Sequence, residues 1–348
     1  MTLPLDRRRN LQELGLRALV KRRFGAEVAD SATPRPLGGG AALVAGTRLA
    51  AVFADGPSGL GAAIDLAGRE NVEHLYFFSE RNDGAVARRA AEFRVPTTVV
   101  DPDGDFEDLA PGPVPPAPTM PASLEAAAAR FGAAGLDVEW EHGAVTGEWL
   151  GLEVARAVLD GDQVVVDVGV GHLDREANRM VYPDGAPDAF LDQAVAAVRE
   201  RRRPSAPAHP ARDLVPERWL RSVLRRRPGL AGLEDLRTGP SPEERGDLTQ
   251  RSIAAGWGGR SGIVAVVACT VGVDPDAVPQ AADARLQAGG WPGFAGPANA
   301  PSADSSAADL LIVVPAGDDH PLTRRLAALL RHPAEVVTVP AGWREAAS

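Results

Sequence analysis

Two stretches of the sequence alternate short apolar runs with helix-patterned segments, and this alternation confines the chain to an α/β architecture more tightly than any other feature. From Ala41 to Asp101 the order is RLAAVFAD, GLGAAIDLAGR, HLYFFSE, GAVARRAAEF and PTTVVD, which reads as strand, helix, strand, helix, strand. From Gly262 to Pro340 the runs GIVAVVACTVGV, DAVPQAADARL, DLLIVVP, LTRRLAALLR and AEVVTVP repeat that order. Near-continuous apolar strands separated by helices are the pattern of parallel sheets covered on both faces. Local detail repeats too. ARRAAEFRVPTTVVD and TRRLAALLRHPAEVVTVP both set paired arginines early on a helix, then a Pro-marked turn, then a Val/Thr strand. Common ancestry and independent arrival at the same grammar both accommodate this repeat.

Between the two stretches the grammar changes. PGPVPPAPTMPAS reads as a linker or a strap laid over the surface, and an Ala-rich helix follows from Leu124 to Phe131. VEWEHGAVTGEW, GLEVARAV and QVVVDVGVG then alternate with period two, with Asp160, Gly161 and Asp162 turning between the last two, as in an antiparallel hairpin or meander. Helices are expected at LDREANRMV, PDAFLDQAVAAVRERRR and PERWLRSVLRRR. An amphipathic helix over residues 7–23 opens the chain, followed by a Pro- and Gly-rich loop through SATPRPLGGG. Segments 237–261 and 287–307 are rich in Gly, Pro, Ser and Asp and read as loops outside the core. The expected fold is therefore α/β, with two parallel β-α-β-α-β lobes and a central antiparallel α+β unit. The corresponding boundaries are an N-terminal lobe over 1–110, a Pro-rich linker over 111–123, the central unit over 124–203, and a C-terminal helix and lobe over 204–348. A chain of 348 residues exceeds what one core serves.

Bulk properties exclude several classes. A net charge of -10 opposes bulk binding to nucleic acid. Lys21 is the one lysine among 37 basic residues, so the arginine load reflects GC-rich coding more than phosphate recognition. The arginines at 201–203 and 225–227 end helices, where cations meet the dipole favourably. No apolar run reaches membrane-spanning length, and the N-terminus lacks the apolar core of a signal peptide, so it reads as mature sequence. Cys269 is the sole cysteine, which rules out an intrachain disulfide framework or a Cys-based zinc cluster; it sits in an apolar run as a buried thiol. A reducing, cytoplasmic setting fits.

Candidate chemistry gathers in the meander. Glu141, Glu148, Glu153 and Asp167 fall on or beside adjacent strands. Period two sets Glu153, Ala155 and Ala157 on one face opposite Leu152 and Val154, and Asp167 on the face opposite Val166 and Val168. Glu153 and Asp167 thereby share a face. Carboxylates converging across strands suit Mg²⁺ or Mn²⁺, which take oxygen ligands and activate water, so Glu141, Glu153 and Asp167 form a candidate metal set. Their plainest alternative role is to solvate the outer face of a half-buried sheet. At the following strand-to-helix junction, GVGHLDREANR offers His172 with Asp174 or Glu176 as an acid/base pair, while Asp174 is also placed as a helix cap. With Glu153 and Asp167, His172 completes the candidate catalytic set. In the first lobe FADGPSGLGAA follows a strand and opens a helix, so Gly56, Ser58, Gly59 and Gly61 present backbone N–H groups to an anion, although the spacing matches neither phosphate-loop pattern. Asp274 and Asp276 hold the equivalent acidic loop of the second lobe. Glu80 and Asp83 at one strand end, and Asp318, Asp319 and His320 at another, are ligand-binding candidates by position.

Two resemblances add to this. The central carboxylates loosely resemble the restriction-endonuclease-like nuclease core, where an acid on one strand pairs with acid-x-Lys on the next; Gly169 stands here where that lysine would be. GLEVAR, VDVGVG and DREA within Glu141 to Glu176, then HPARDLVPERWLR and the final PAEVVTVP, are similar to a group of actinobacterial proteins of unknown function. That likeness implies source and cytosolic location and no mechanism. The leading expectation is a ligand-binding or regulatory protein using the strand-end loops. The alternatives are a metal-dependent nuclease or phosphoesterase and an interaction scaffold.

Overall fold

The computed structural model describes residues 5–37, 40–52, 59–79, 84–103, 106–116, 119–182, 187–203, 206, 209, 212–294 and 308–347. The described chain is mixed α/β with three sheets, and none of its helices is long and apolar enough to cross a membrane. Two compact units emerge from its contacts. The first takes residues 1–115, 273–283 and 320–335; the second takes 116–272, 284–319 and 336–348.

In the first unit α1 (Leu5–Phe24) and α2 (Ala26–Ser31) precede a sheet ordered β1 (Thr33–Leu37), β2 (Gly40–Ala45), β3 (Arg48–Val52), β4 (His74–Phe78), β5 (Thr97–Val100). Strands β3, β4 and β5 run parallel and are joined by α3 (Leu60–Arg69) and α4 (Ala85–Ala91), as their apolar runs predict. The antiparallel strands β1 and β2 occupy the stretch expected as a Pro- and Gly-rich loop. Pro34 and Pro36 donate no ladder hydrogen bond, which an edge strand tolerates. Leu16 and Val20 of α1 pack with Leu43, Ala50, Phe78 and Val100 on one face of this sheet.

The second unit contains the meander, ordered β6 (Asp137–Glu141), β7 (Ala144–Trp149), β8 (Leu152–Asp160), β9 (Gln163–Val168), every neighbour antiparallel. Its tight turns His142–Gly143 and Leu150–Gly151 place both residues at positive φ, the hairpin geometry that matches strand twist. At Gly151 a side chain is excluded by contact as well, because a Cβ there would stand 2.3 Å from the Arg218 carbonyl carbon. Helices α5 (Glu125–Ala133), α6 (Gly171–Val181) and α7 (Asp188–Arg201) flank the meander. Phe131 of α5 and Leu191, Val195 and Val198 of α7 build a core with Val145, Leu152, Ala155 and Ala157 on one sheet face.

Next, α8 (Pro216–Arg226) leads into a second five-stranded sheet, ordered β10 (Arg237–Thr238), β11 (Ala254–Arg260), β12 (Ile263–Cys269), β13 (Asp309–Pro315), β14 (Glu335–Val339). Here β10, β11 and β12 pair antiparallel, and β12 and β13 pair parallel. The connecting helices are α9 (Ala277–Gln287) after β12 and α10 (Pro321–Leu329) after β13. Strand β11 overturns the expectation that 237–261 lies outside the core: Ala254 and Ala255 are fully buried in it. Its glycines admit close backbone approach, since a Cβ at Gly258 would lie 2.1 Å from the Asp235 carbonyl oxygen. Trp219, Leu220, Val223 and Leu224 of α8 pack on Val267, Cys269, Leu311 and Val313 of this sheet.

Candidate functional site

The outward face of the meander is a field of carboxylates. Register sets Asp137, Glu148 and Glu153 in one cross-strand row and Glu139, Thr146, Arg156 and Asp167 in the next, with Glu141 beyond on β6. A bulge makes this possible. Gly147 pairs with Ala155 and Glu148 with Glu153, so Val154 is an extra residue and the alternation of β8 switches there. Glu153 consequently shares a face with Arg156, whereas Ala155 and Ala157 turn into the core, contrary to the unbroken period two expected from sequence.

Such a face repels itself unless cations cover it. Helix α8 supplies them at i, i+3 and i+7, one side of a helix. Arg218 engages both Glu141 and Glu148. Arg221 lies 3.7 Å from Glu139 and 3.8 Å from Glu148. Arg225 reaches Glu139 at 3.3 Å, and Arg226 reaches Asp137 at 3.2 Å. The cations near the end of α8 therefore serve as carboxylate partners in addition to any dipole effect. Glu148 is only 2% exposed, and burial pushes its carboxyl up to about 8, with Arg221 pulling the other way. Burial also pulls Arg218 well below its ordinary value. Guanidinium keeps its proton across the accessible range, so Glu148 is the group whose charge changes.

Where α8 begins, the sheet face and the segment around Glu244–Leu248 enclose a polar cavity of about 140 Å³. Glu141, Thr146, Glu148, Glu153, Arg218 and Arg245 line it, with His172 beside its mouth. Glu141 is engaged at both oxygens, by Arg218 and by the Ser241 N–H at 3.2 Å. Arg175 holds Glu153, whose carboxyl is raised by burial. Arg245 donates to Glu217 at 3.1 Å and to the Ser252 carbonyl at 2.9 Å. Three residues of this lining carry a buried polar atom with no hydrogen-bond partner among the described residues: Thr146 Oγ1, Arg218 Nε and Arg245 Nε.

The sequence candidates separate on this frame. Glu141, Glu148 and Glu153 reach the cavity. Asp167 does not line it and is gripped by Arg179, with Nε at 3.0 Å. Among the described residues no three His, Cys, Asp or Glu side chains group as metal ligands, so Glu141, Glu153 and Asp167 do not assemble as a set. His172 is largely exposed and faces Glu176 at 3.4 Å. Asp174 sits inside the first turn of α6, whose N-cap is Val170, so it is not the cap.

At the strand ends, Gly56, Ser58, Glu80 and Asp83 lie outside the described residues. The N–H groups of Gly59 and Gly61 both donate to Asp276, at 2.6 and 3.0 Å, so a carboxylate of the chain already fills the anion position there. Asp318 accepts from the Gly272 N–H at 2.8 Å, and His320 Nδ1 caps α10 by accepting from Leu322 N. Cys269 is buried and its thiol is pushed up to about 12. Sequence reasoning missed Arg175, Arg218, Arg221 and Arg245; the one available signal was the arginine spacing opposite Trp219, Leu220 and Val223 in PERWLRSVLRRR. Comparison of the chain with family models, curated proteins and solved structures returns no match.

Proposed function

We propose that this chain is a ligand-binding protein whose site is the cavity at the start of α8, and that its ligand is a small uncharged molecule bearing carbonyl or hydroxyl oxygens. One observation carries the reading: the buried carboxylates of the lining, Glu141, Glu148 and Glu153, are engaged by arginines, while three of its residues carry buried atoms without a hydrogen-bond partner among the described residues, the hydroxyl of Thr146 and the Nε–H donors of Arg218 and Arg245. Unmet buried donors call for acceptors, and matched charges offer a charged ligand no counter-ion. A cavity of about 140 Å³ holds roughly five water-sized groups, which sets the scale of the ligand.

The test is thermal unfolding of wild type and Thr146→Val with millimolar small amides, diols, carboxylates and amines. Specific binding to the folded state raises the midpoint. An uncharged oxygen-bearing probe is expected to raise it in wild type and to lose that effect in Thr146→Val. Absence of a shift with every probe would show that the cavity holds only solvent.

A further inference from the structure

The two five-stranded sheets share one order, two antiparallel pairs followed by a parallel one, and their crossover helices fall at the same points: α3 answers to α9, and α4 to α10. Within the first unit these helices meet, and the manner of meeting is informative. Setting Asp65 against Asp283 and Arg88 against Arg325, one residue away from the register that matches the arginine pairs, aligns the helices without gaps. Extending the second alignment pairs Ala91 with Ala328, Glu92 with Leu329, Phe93 with Leu330 and Arg94 with Arg331.

Several contacts are then returned by their equivalents, although the bonds of Arg89 Nε to Asp283 Oδ2 at 3.0 Å and of Arg69 Nε to Asp65 Oδ2 at 2.9 Å are not. Arg88 Nε donates to Asp283 Oδ1 at 2.8 Å and Nη2 to Oδ2 at 3.1 Å. Arg325 Nε donates to Asp65 Oδ1 at 2.7 Å and Nη2 to Oδ2 at 3.3 Å, atom for atom the same fork. The Arg94 N–H bonds the Leu329 carbonyl at 2.9 Å, and the Arg331 N–H bonds the Glu92 carbonyl at 2.8 Å. The Arg94 side chain bonds the Ala328 carbonyl, and Arg331 Nε bonds the Ala91 carbonyl at 2.7 Å. At the centre Phe93 bridges Leu330 antiparallel, each residue facing its own equivalent. The two backbone bonds belong to any antiparallel bridge, but two unrelated surfaces give no reason for the paired aspartate forks and the paired arginine-to-carbonyl contacts, whereas an isologous interface between copies requires them.

We propose that the chain is an internal duplication of one β-β-β-α-β-α-β module, and that the face built by α3, α4 and Phe93 is a dimerisation surface whose partner is another module of the same kind, here supplied from within the chain. Asp65 and Asp283 are only 5% and 0% exposed, so the surface selects its partner by charge: each carboxylate must meet an arginine fork from the other module.

Two full-length variants test this. One carries Asp65→Arg with Arg88→Asp, the other Asp283→Arg with Arg325→Asp. Each alone opposes like charges at both forks and is expected to unfold at lower temperature than wild type. All four substitutions in one chain restore both forks but leave Arg69 and Arg89 beside the new arginines, so that chain is expected to regain part of the lost midpoint as a monomer. Co-refolded at tens of micromolar, the two variants are expected to exchange modules and give a 1:1 dimer by light scattering. Where either variant fails to fold alone, Asp65→Asn and Asp283→Asn are compared instead; both are expected to lower the midpoint, Asp283→Asn by more, because its arginine partners are buried while those of Asp65 are half-exposed. A mixture that never dimerises, a four-substitution chain that recovers nothing, or an Asn variant that leaves the midpoint unmoved would each overturn the proposal.

Discussion

Glu148 is held in a position no exposed carboxylate experiences. Its pKa rises from 4.5 to about 8, so the folded chain binds a proton there that the unfolded chain releases. Stability from this group is full below pH 4.5 and declines by about 1.4 kcal/mol per pH unit as pH rises toward 8. Urea titrations across that window should therefore show a falling midpoint in wild type and a flatter one in Glu148→Gln. A second expectation concerns Arg218, which serves Glu141 and Glu148 together. Arg218→Met takes the only guanidinium that, among the described residues, engages the buried Glu141 carboxylate and one of two near Glu148, and is expected to cost about 3–5 kcal/mol in urea unfolding, as breaking buried pairs does. Thr146→Val behaves in the opposite sense. The hydroxyl has no hydrogen-bond partner among the described residues, so the ligand-free variant should be at least as stable as wild type even as binding is lost. Little of this was legible beforehand. Arginine is so common in the chain that the partners of Glu141 and Glu153 do not stand out, and Arg175, Arg218 and Arg245 meet in space from three separate segments.

Among the elements, apolar pattern was the reliable guide. Strands β3, β4 and β5 and the meander were readable because their Val, Leu and Phe runs sit between clear turn residues. Strand β11 was not, since Gly256, Gly258 and Gly259 in AAGWGGR imitate a loop while serving close packing of backbone on backbone. Gly258→Ala is expected to destabilise the chain by about 1–3 kcal/mol in denaturant unfolding, because the new methyl meets a carbonyl oxygen that cannot move freely. A fall below the error of the measurement would show that the backbone at Asp235 can move away from β11 at little cost. The bulge at Val154 was equally hidden: nothing in LEVARAV announces where alternation switches, and only pairing with β7 reveals it. Sequence alternation therefore set Glu153 and Asp167 on one face and joined them with Glu141 as a set, but gave no sign that Glu148 would line the cavity or that Asp167 would turn to Arg179.

For the whole molecule, Cys269 offers a reporter. It is the only thiol, fully buried against α8, and held far from its reactive form. Native chain should resist a thiol reagent at neutral pH, with labelling following the opening of the second unit and accelerating through the urea transition. Rapid labelling without denaturant would mean that the core around α8 opens locally. The reciprocal forks of the first unit carry a different consequence, one of mass action. Arg88 and Asp283 are 195 residues apart and Arg325 and Asp65 are 260 apart, yet both pairs are tied by one continuous backbone. For two separate chains such a union would fade as protein became scarce. Tethering replaces bulk concentration with an effective one near the millimolar range, so diluting the protein a thousandfold should leave its unfolding midpoint where it was.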